Sequence, residues 1–192
     1  MYDQKYLASV AKRYAALDRS RRELQALSAN ILGAAKRAIF ATQRGDNPGA
    51  RLELRAISKH ILACKKLIGG LTRLESEGMW RAALEEYAEA YMYHAAMTGK
   101  QIGRVPYLPD DPDIFLGGFC DLTGELTRSA VLAATDRKRD EVKRLVSAVR
   151  HAIAFLLKLN MTGYLRTKFD QAKQNLRKLE EIAFTLSANE KR

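Results

Sequence analysis

The chain has 192 residues, of which 47% are hydrophobic and 29% are charged, and its formal net charge is +11. This length and composition predict a single globular domain over residues 1–192. No apolar run reaches the ~18 residues of a membrane span, and the first residues lack the pattern of a secretory signal. We therefore expect a cytoplasmic protein with no membrane contact. The two cysteines lie far apart with no metal-ligand spacing, so they predict free buried thiols rather than a disulfide or a zinc site.

Apolar residues recur three and four positions apart along almost the whole chain, a spacing typical of α-helices. The pattern predicts an all-α fold, an antiparallel bundle of about seven helices with short connections. A first helix runs from Tyr2 to about Leu17, and an N-capping Asp18 starts a second that stops at Gly45. A third helix runs from Asn47 to Ile68, and Gly69-Gly70 ends it. One long loop is predicted from Gly99 to Pro112. The remaining predicted helices are about Gly78 to Met97, Asp113 to about Thr135, Asp140 to about Asn160, and Tyr164 to about Ser187.

Charge is distributed unevenly along the sequence. Residues 1–70 hold 14 basic and 5 acidic side chains, and residues 126–192 hold 15 and 7, whereas residues 71–125 hold only 4 basic side chains against 10 acidic ones. The positive total favours a polyanionic partner such as nucleic acid. The acidic middle segment indicates either a solvated acidic loop or a cation site.

Two pairs of carboxylates stand out in the acidic segment. Glu86 and Glu89 lie one turn apart opposite the apolar stripe of their helix, and Asp121 and Glu125 have the i, i+4 spacing on the next. Each like-charged pair costs a few tenths of a kcal/mol unless a cation compensates it. On packed helices the four would suit Mg²⁺ or Mn²⁺ and hydrolysis of a phosphodiester. The spacing leaves open an alternative, in which the pairs lie on solvated faces and Arg128 neutralises the second. The Glu-x-x-His motifs of a di-iron bundle are absent.

The residues around these pairs resemble the translin superfamily, and specifically its translin-associated factor X branch. Its signature helix is similar to the segment after the long loop, and the glutamate pair matches the family's Glu-Tyr-x-Glu-Ala. The first and last helices also resemble the family. The segments concerned are Phe115-Leu116-Gly117-Gly118, Asp121-Leu122-Thr123-Gly124-Glu125-Leu126, Glu86-Tyr87-Ala88-Glu89-Ala90, Asp18-Arg19, Lys36-Arg37-Ala38-Ile39-Phe40, Leu165-Arg166 and Leu179-Glu180-Glu181.

This resemblance implies a helical subunit that assembles into a hollow homo-oligomer, an octamer by expectation, around single-stranded RNA, a short RNA duplex or single-stranded DNA. It also implies a Mg²⁺-dependent endoribonuclease, with Mn²⁺ as a substitute, that leaves 5′-phosphate and 3′-hydroxyl ends. Glu86, Glu89 and Asp121 take the catalytic and metal-binding roles, and Glu125 is a fourth candidate. A non-catalytic, translin-like shell that binds single-stranded RNA or DNA is the alternative. The compact chain favours a prokaryotic or archaeal homologue.

Nucleic-acid contacts are expected from basic side chains near these carboxylates. We predict that Lys36, Arg37, Arg81 and Arg128 bind the phosphate backbone through salt-sensitive contacts. The alternative for each is a solvated or ion-paired surface. Tyr93 lies on the carboxylate side of its helix, so we predict that a base stacks on it.

Overall fold

The computed structural model describes residues 1–69 and 71–188, and over those residues it contains six α-helices and one short 3₁₀ helix. The predicted all-α fold is confirmed. No helix within the described ranges combines the length and the apolarity that a bilayer span requires. In chain order the elements are α1 (Gln4–Gln43), α2 (Asn47–Ile68), a 3₁₀ helix (Thr72–Ser76), α3 (Gly78–Met97), α4 (Pro112–Thr135), α5 (Arg139–Leu156) and α6 (Gly163–Ala188).

The first two predicted helices are one helix, α1, of 40 residues. Asp18, which was predicted to cap a new helix, lies inside α1, and its carboxylate forms a 2.8 Å ion pair with Arg22 four residues later. Such an i, i+4 pair stabilises a continuous helix. The observed N-cap is Asp3, whose side chain accepts hydrogen bonds from the backbone N–H groups of Lys5 and Tyr6.

The ends of α1 and α2 follow ordinary capping chemistry. Gly45 has φ +76°, a left-handed conformation that stops α1 close to the predicted end. The side chain of Asp46 caps α2 by accepting a 2.9 Å hydrogen bond from the N–H of Gly49, one residue before the predicted start of this helix. At the other end of α2, Gly69 is the C-cap, whereas Gly70 lies outside the described residues.

Helix α3 lies at the centre of the bundle, because it packs against α1 on one side and α4 on the other. Helix α4 in turn packs against α5 and α6. As a result α3 is buried on nearly all sides, with Tyr87, Met92 and Tyr93 at most 1% exposed. Cys64 and Cys120 are both buried and free, as predicted.

Helix α4 approaches α3 closely at two consecutive glycines. A Cβ atom on Gly118 would lie 2.7 Å from the backbone oxygen of Glu85 and 3.0 Å from the backbone nitrogen of Glu89, and one on Gly117 would lie 2.6 Å from Glu85 Oε2. Only glycine permits such an approach of one backbone to another. This contact places the carboxylates of α3 against the segment of α4 that carries Asp121.

Candidate active site

Helix α3 carries three carboxylates within two turns, and two of them are buried in the bundle. Glu86 is partly exposed, whereas Glu85 and Glu89 are only 7% and 8% exposed. The sequence placed Glu86 and Glu89 opposite an apolar stripe and left open the alternative that both lie on a solvated face. That alternative fails for Glu89, because α3 is covered on several sides rather than on one.

The two predicted carboxylate pairs interact with each other. Burial raises the pKa of Glu89 from 4.5 to about 9, and repulsion from Asp121, Glu86 and Glu125 adds to the increase. Burial also raises the pKa of Glu86, with Asp121 and Glu125 contributing and Lys36 opposing. Repulsion of this kind requires proximity. The structure therefore brings the four predicted carboxylates together, with Glu89 at their buried end.

A lysine from α6 supplies positive charge at this cluster. Lys168 Nζ forms ion pairs with Asp121 Oδ2 and, at 3.1 Å, with Glu85 Oε2, and its side chain is 16% exposed. The hydroxyl of Tyr164 donates a 2.9 Å hydrogen bond to the same Glu85 oxygen. Burial disfavours the charge of Lys168, but its hydrogen bonds to Asp121 and Tyr164 outweigh this and hold its pKa above the usual value.

Sequence reasoning did not assign a role to Glu85, Lys168 or Tyr164. Lys168 belongs to the last helix, about 80 residues from Glu85, so no local spacing connects them. A signal for Glu85 was available, because it directly precedes Glu86 in a helix with few polar residues. We name Glu86, Glu89, Asp121 and Glu125, together with Glu85 and Lys168, the carboxylate cluster.

Helix α1 is the fourth helix that borders the carboxylate cluster, after α3, α4 and α6. Gln43 Nε2 donates a 2.5 Å hydrogen bond to Glu125 Oε2. Two turns earlier, Lys36 is exposed, and its charge lowers the pKa of Glu86 against the effect of burial. The cluster is therefore enclosed by α1, α3, α4 and α6.

The donor chemistry of the cluster fits a hard divalent cation, although its side chains are not arranged around one. Among the described residues, no three acidic, histidine or cysteine side chains are positioned as ligands of a single ion. The ammonium group of Lys168 instead forms an ion pair with the carboxylate of Asp121. However, carboxylate oxygens are the ligands that Mg²⁺ and Mn²⁺ prefer, and a cation would relieve the repulsion that acts on Glu89.

Two of the predicted RNA-binding arginines are engaged in ion pairs. Arg37 Nε lies 2.9 Å from Glu53 Oε1, and its Nη2 lies 2.9 Å from the other carboxylate oxygen. Arg81 Nη1 lies 2.7 Å from Asp111 Oδ2. These contacts match the ion-paired alternative that the sequence left open for both residues.

The other two predicted basic residues have no ion pair within the described part of the chain. Lys36 is exposed beside the cluster, and Arg128 is exposed with its guanidinium 5.3 Å from the centre of the Phe40 ring. Arg128 therefore does not neutralise Glu125 by direct contact. Both side chains remain available to a polyanion.

The prediction that a base stacks on Tyr93 is wrong. Its ring is 0% exposed, and its hydroxyl lies 2.6 Å from the hydroxyl oxygen of Ser129 on α4. The sequence pattern placed Tyr93 correctly on the carboxylate side of α3. That side is covered by α4, so the ring is a core residue of the α3–α4 interface.

An open cavity of about 860 Å³ lies next to the carboxylate cluster. It is bounded by the first turns of α3 and α4 and by the connection between α5 and α6, and its lining includes Arg81, Glu85, Lys158 and Tyr164. Since Glu85 belongs to both, and Tyr164 of the lining donates a hydrogen bond to Glu85, the cavity reaches the edge of the cluster. Its size suits several nucleotide units of a polymer.

Comparison with known proteins adds a family match and a fold match. The translin family model matches residues 102–189, which include Asp121, Glu125 and Lys168. No curated protein sequence matches the chain significantly. The fold is similar to the crystal structure of apo-NeC3PO, with a TM-score of 0.85, 19% identity, and coverage of 97% of this chain and 98% of that one.

Two further structures share the fold over nearly the whole chain. The AfC3PO–duplex RNA complex matches with a TM-score of 0.83 and 19% identity over 96% of this chain and 97% of that one. The crystal structure of AfC3PO matches with a TM-score of 0.83 and 20% identity over 97% and 100%, respectively. At these identities the structural matches show a common fold.

Proposed function

We propose that this chain, which matches the translin family model over residues 102–189, is a Mg²⁺-dependent endoribonuclease of the translin-associated factor X kind, cutting single-stranded RNA to leave 5′-phosphate and 3′-hydroxyl ends. The observation that carries this proposal is the burial of Glu89 among Glu86, Asp121 and Glu125. Burying like-charged groups together destabilises a fold, and such arrangements are concentrated at functional sites. A protein that only binds RNA has no need of this arrangement.

Each carboxylate has a distinct part in the proposed site. Glu86, Glu89 and Asp121 would hold the cation, with Glu125 completing or orienting the set. When bound, Mg²⁺ supplies a Lewis acid that activates water and stabilises negative charge on the phosphate. A pKa raised to about 9 favours the protonated form of Glu89 at neutral pH, and a bound cation would favour its ionised form. Lys168, which pairs with both Asp121 and Glu85, would have to release Asp121 to a cation.

RNA binding is proposed from charge and from the fold. The net charge of +11 attracts a polyanion, and Lys36 and Arg128 offer unpaired positive charge within the described residues near the cluster. The 860 Å³ cavity provides a path to Glu85. The solved AfC3PO–duplex RNA complex has the same fold. Binding that depends on phosphate contacts weakens steeply as salt concentration rises.

Assembly into a homo-oligomer is proposed from the first half of α1. The buried residues of this helix begin at Leu24, so roughly 30 Å of helix precedes them, at 1.5 Å per residue. This segment exposes Tyr6, Val10 and Tyr14, at 61%, 38% and 64%, along one helical stripe. A second copy of the chain is the proposed cover for this apolar surface, in an octamer. Light scattering of Val10→Glu against the unchanged protein tests this, because disruption predicts a smaller particle.

One observation favours the alternative, a shell that binds single-stranded RNA or DNA without cutting it. Lys168 already pairs with Asp121, so the cluster has an internal cation in place of a metal. Under this alternative, removal of the carboxylates changes RNA affinity but no cleavage occurs with any divalent ion.

Cleavage of end-labelled single-stranded RNA separates these two functions. The reaction is run with Mg²⁺ and with EDTA, while RNA binding is measured in parallel by fluorescence anisotropy. The variant Glu89→Gln preserves the shape of the buried side chain, and Glu181→Gln is the control because Glu181 is an exposed glutamate of α6. We expect the Glu89 variant to bind RNA but to cut it at least ~100-fold more slowly, with the control unchanged. Intact RNA in every reaction would overturn the nuclease assignment.

A further inference from the structure

A second cavity, of about 230 Å³, lies between α2, α3 and the loop from α3 to α4. From α3 it is lined by Tyr87, Tyr91 and His94. Successive residues of a helix are rotated by 100°, so these side chains project from a different side of α3 than Glu86 and Glu89 do. The carboxylate cluster and this cavity are therefore separate. We call it the α2–α3 cavity.

The lining of the α2–α3 cavity is strongly cationic. Arg51, Arg55 and Lys100 contribute to it, and none of its lining residues is acidic. Within residues 1–69 and 71–188 these three side chains form no ion pair, unlike Arg37 and Arg81, which both pair with carboxylates. Cations that converge on a cavity repel one another and raise the local concentration of anions. The α2–α3 cavity is thus complementary to a small anion.

A buried histidine at the cavity lacks a hydrogen-bond partner. His94 is 6% exposed, and its Nδ1 lies 3.2 Å from Thr42 Oγ1, whereas its Nε2 has no partner among the described residues. Buried polar atoms are nearly always hydrogen-bonded, so an unpaired one indicates a missing ligand or water. Burial, with smaller contributions from Arg51 and Lys100, lowers the pKa of His94. In the tautomer in which the Thr42 hydroxyl donates to Nδ1, the neutral ring carries its hydrogen on Nε2 and offers it to an acceptor.

The rim of the cavity is aromatic and held in a constrained conformation. The hydroxyl of Tyr87 donates a 2.9 Å hydrogen bond to the carbonyl oxygen of Pro106, which fixes the loop over the cavity. The next residue, Tyr107, has φ +64° and a ring that is 47% exposed. A bulky residue in the left-handed region is strained, and such strain concentrates at functional sites. Tyr107 presents a flat surface on which an aromatic group can stack.

We propose that the α2–α3 cavity binds a nucleoside monophosphate. Arg51, Arg55 and Lys100 bind the phosphate, the ribose lies toward His94, and the base stacks on Tyr107 at the rim. A volume of 230 Å³ is below the ~300 Å³ at which pockets enclose whole drug-sized ligands, which suits a ligand whose base stays outside. This binding site is independent of the carboxylate cluster, requires no divalent ion and leaves the ligand unchanged.

Isothermal titration calorimetry of the full chain in EDTA tests the proposal with three probes: adenosine 5′-monophosphate, adenosine and inorganic phosphate. We expect the monophosphate to bind more tightly than phosphate, and adenosine to bind weakest. Arg55→Ala is expected to lower the affinity for the monophosphate at least tenfold. Arg177→Ala, which removes an exposed arginine on α6 outside the cavity, is expected to leave it unchanged.

A second variant separates the contribution of the aromatic rim. Tyr107→Asn removes the ring, and asparagine tolerates the left-handed conformation, so the loop is expected to keep its shape. Its affinity for the monophosphate should fall to that for phosphate, while phosphate binding stays as it was. The proposal is overturned if the monophosphate gives no heat, or if Arg55→Ala and Arg177→Ala lose affinity equally. It is also overturned if Arg55→Ala abolishes RNA cleavage, because the cavity would then belong to the RNA path.

Discussion

Replacing Glu89 by glutamine is expected to stabilise the metal-free protein at neutral pH. The carboxyl group has a pKa of about 9 in the folded chain against 4.5 in the unfolded chain. Between these values the folded state binds more protons, so its stability falls as pH rises from 4.5 towards 9. At 1.36 kcal/mol per pH unit, the loss at pH 7 is about 3 kcal/mol. Glutamine resembles the protonated acid and does not suffer this loss.

Urea unfolding followed by circular dichroism, in EDTA and at one protein concentration, measures this difference at pH 5, 6, 7 and 8. The gap between Glu89→Gln and the unchanged protein should be small at pH 5 and grow with each pH unit up to pH 8. Glu23→Gln, which alters an exposed glutamate of α1, is the control and should change stability by less than ~0.5 kcal/mol at every pH. Parallel stability curves for the Glu89 variant would refute the reasoning, since Glu89 would then be ionised in the folded protein.

Three further predictions concern the packing around the cluster. Gly118→Ala should destabilise the fold by about 1–3 kcal/mol in urea unfolding, because its Cβ would lie 2.7 Å from a backbone oxygen of α3. Gly124→Ala, where the nearest atom would lie at 3.5 Å, should be neutral or stabilising by up to ~1 kcal/mol, and equal losses would contradict the close approach. Tyr93→Phe loses the 2.6 Å hydrogen bond of its hydroxyl and should cost about 1 kcal/mol by the same assay without affecting RNA affinity, whereas weakened RNA binding would contradict the burial of that hydroxyl. Burial raises the pKa of both cysteine thiols to about 11. A thiol reagent should therefore label Cys64 and Cys120 at pH 8 only when urea unfolds the protein, and rapid labelling of the native protein would refute their burial.

Most of the fold was predictable because the helices of this chain have regular apolar spacing and standard breaks. The left-handed Gly45 and the prolines of the loop before α4 marked helix ends correctly. The unbroken α1 was not predictable from Asp18, because aspartate serves equally as an N-cap and as the acidic member of an i, i+4 ion pair. Which role it takes depends on whether a basic residue follows at the right spacing, and Arg22 does.

The candidate site was predictable in its residues but not in its environment. Spacing identified Glu86 and Glu89, but only tertiary packing shows that Glu89 is buried and that Lys168 pairs with Asp121. The same packing explains why the predicted exposure of Tyr93 is wrong. Helix α3 is covered by α1 and by α4, so the side opposite its apolar stripe is also buried. One apolar stripe opposite a polar face is the pattern of a helix at the surface of a bundle. Because α3 lies at the centre of the bundle, that pattern does not predict which of its residues are exposed.

The proposed function requires the carboxylate cluster to bind a divalent cation through Glu86, Glu89 and Asp121. Its most direct test is a crystal structure of the protein soaked in Mn²⁺, with anomalous scattering recorded at the manganese edge. We predict one anomalous peak, or two, within roughly 2.2 Å of carboxylate oxygens of these residues, with Lys168 moved away from Asp121. No peak at the cluster, with the Lys168–Asp121 ion pair intact, would contradict the claim and leave the chain as a nucleic-acid-binding shell.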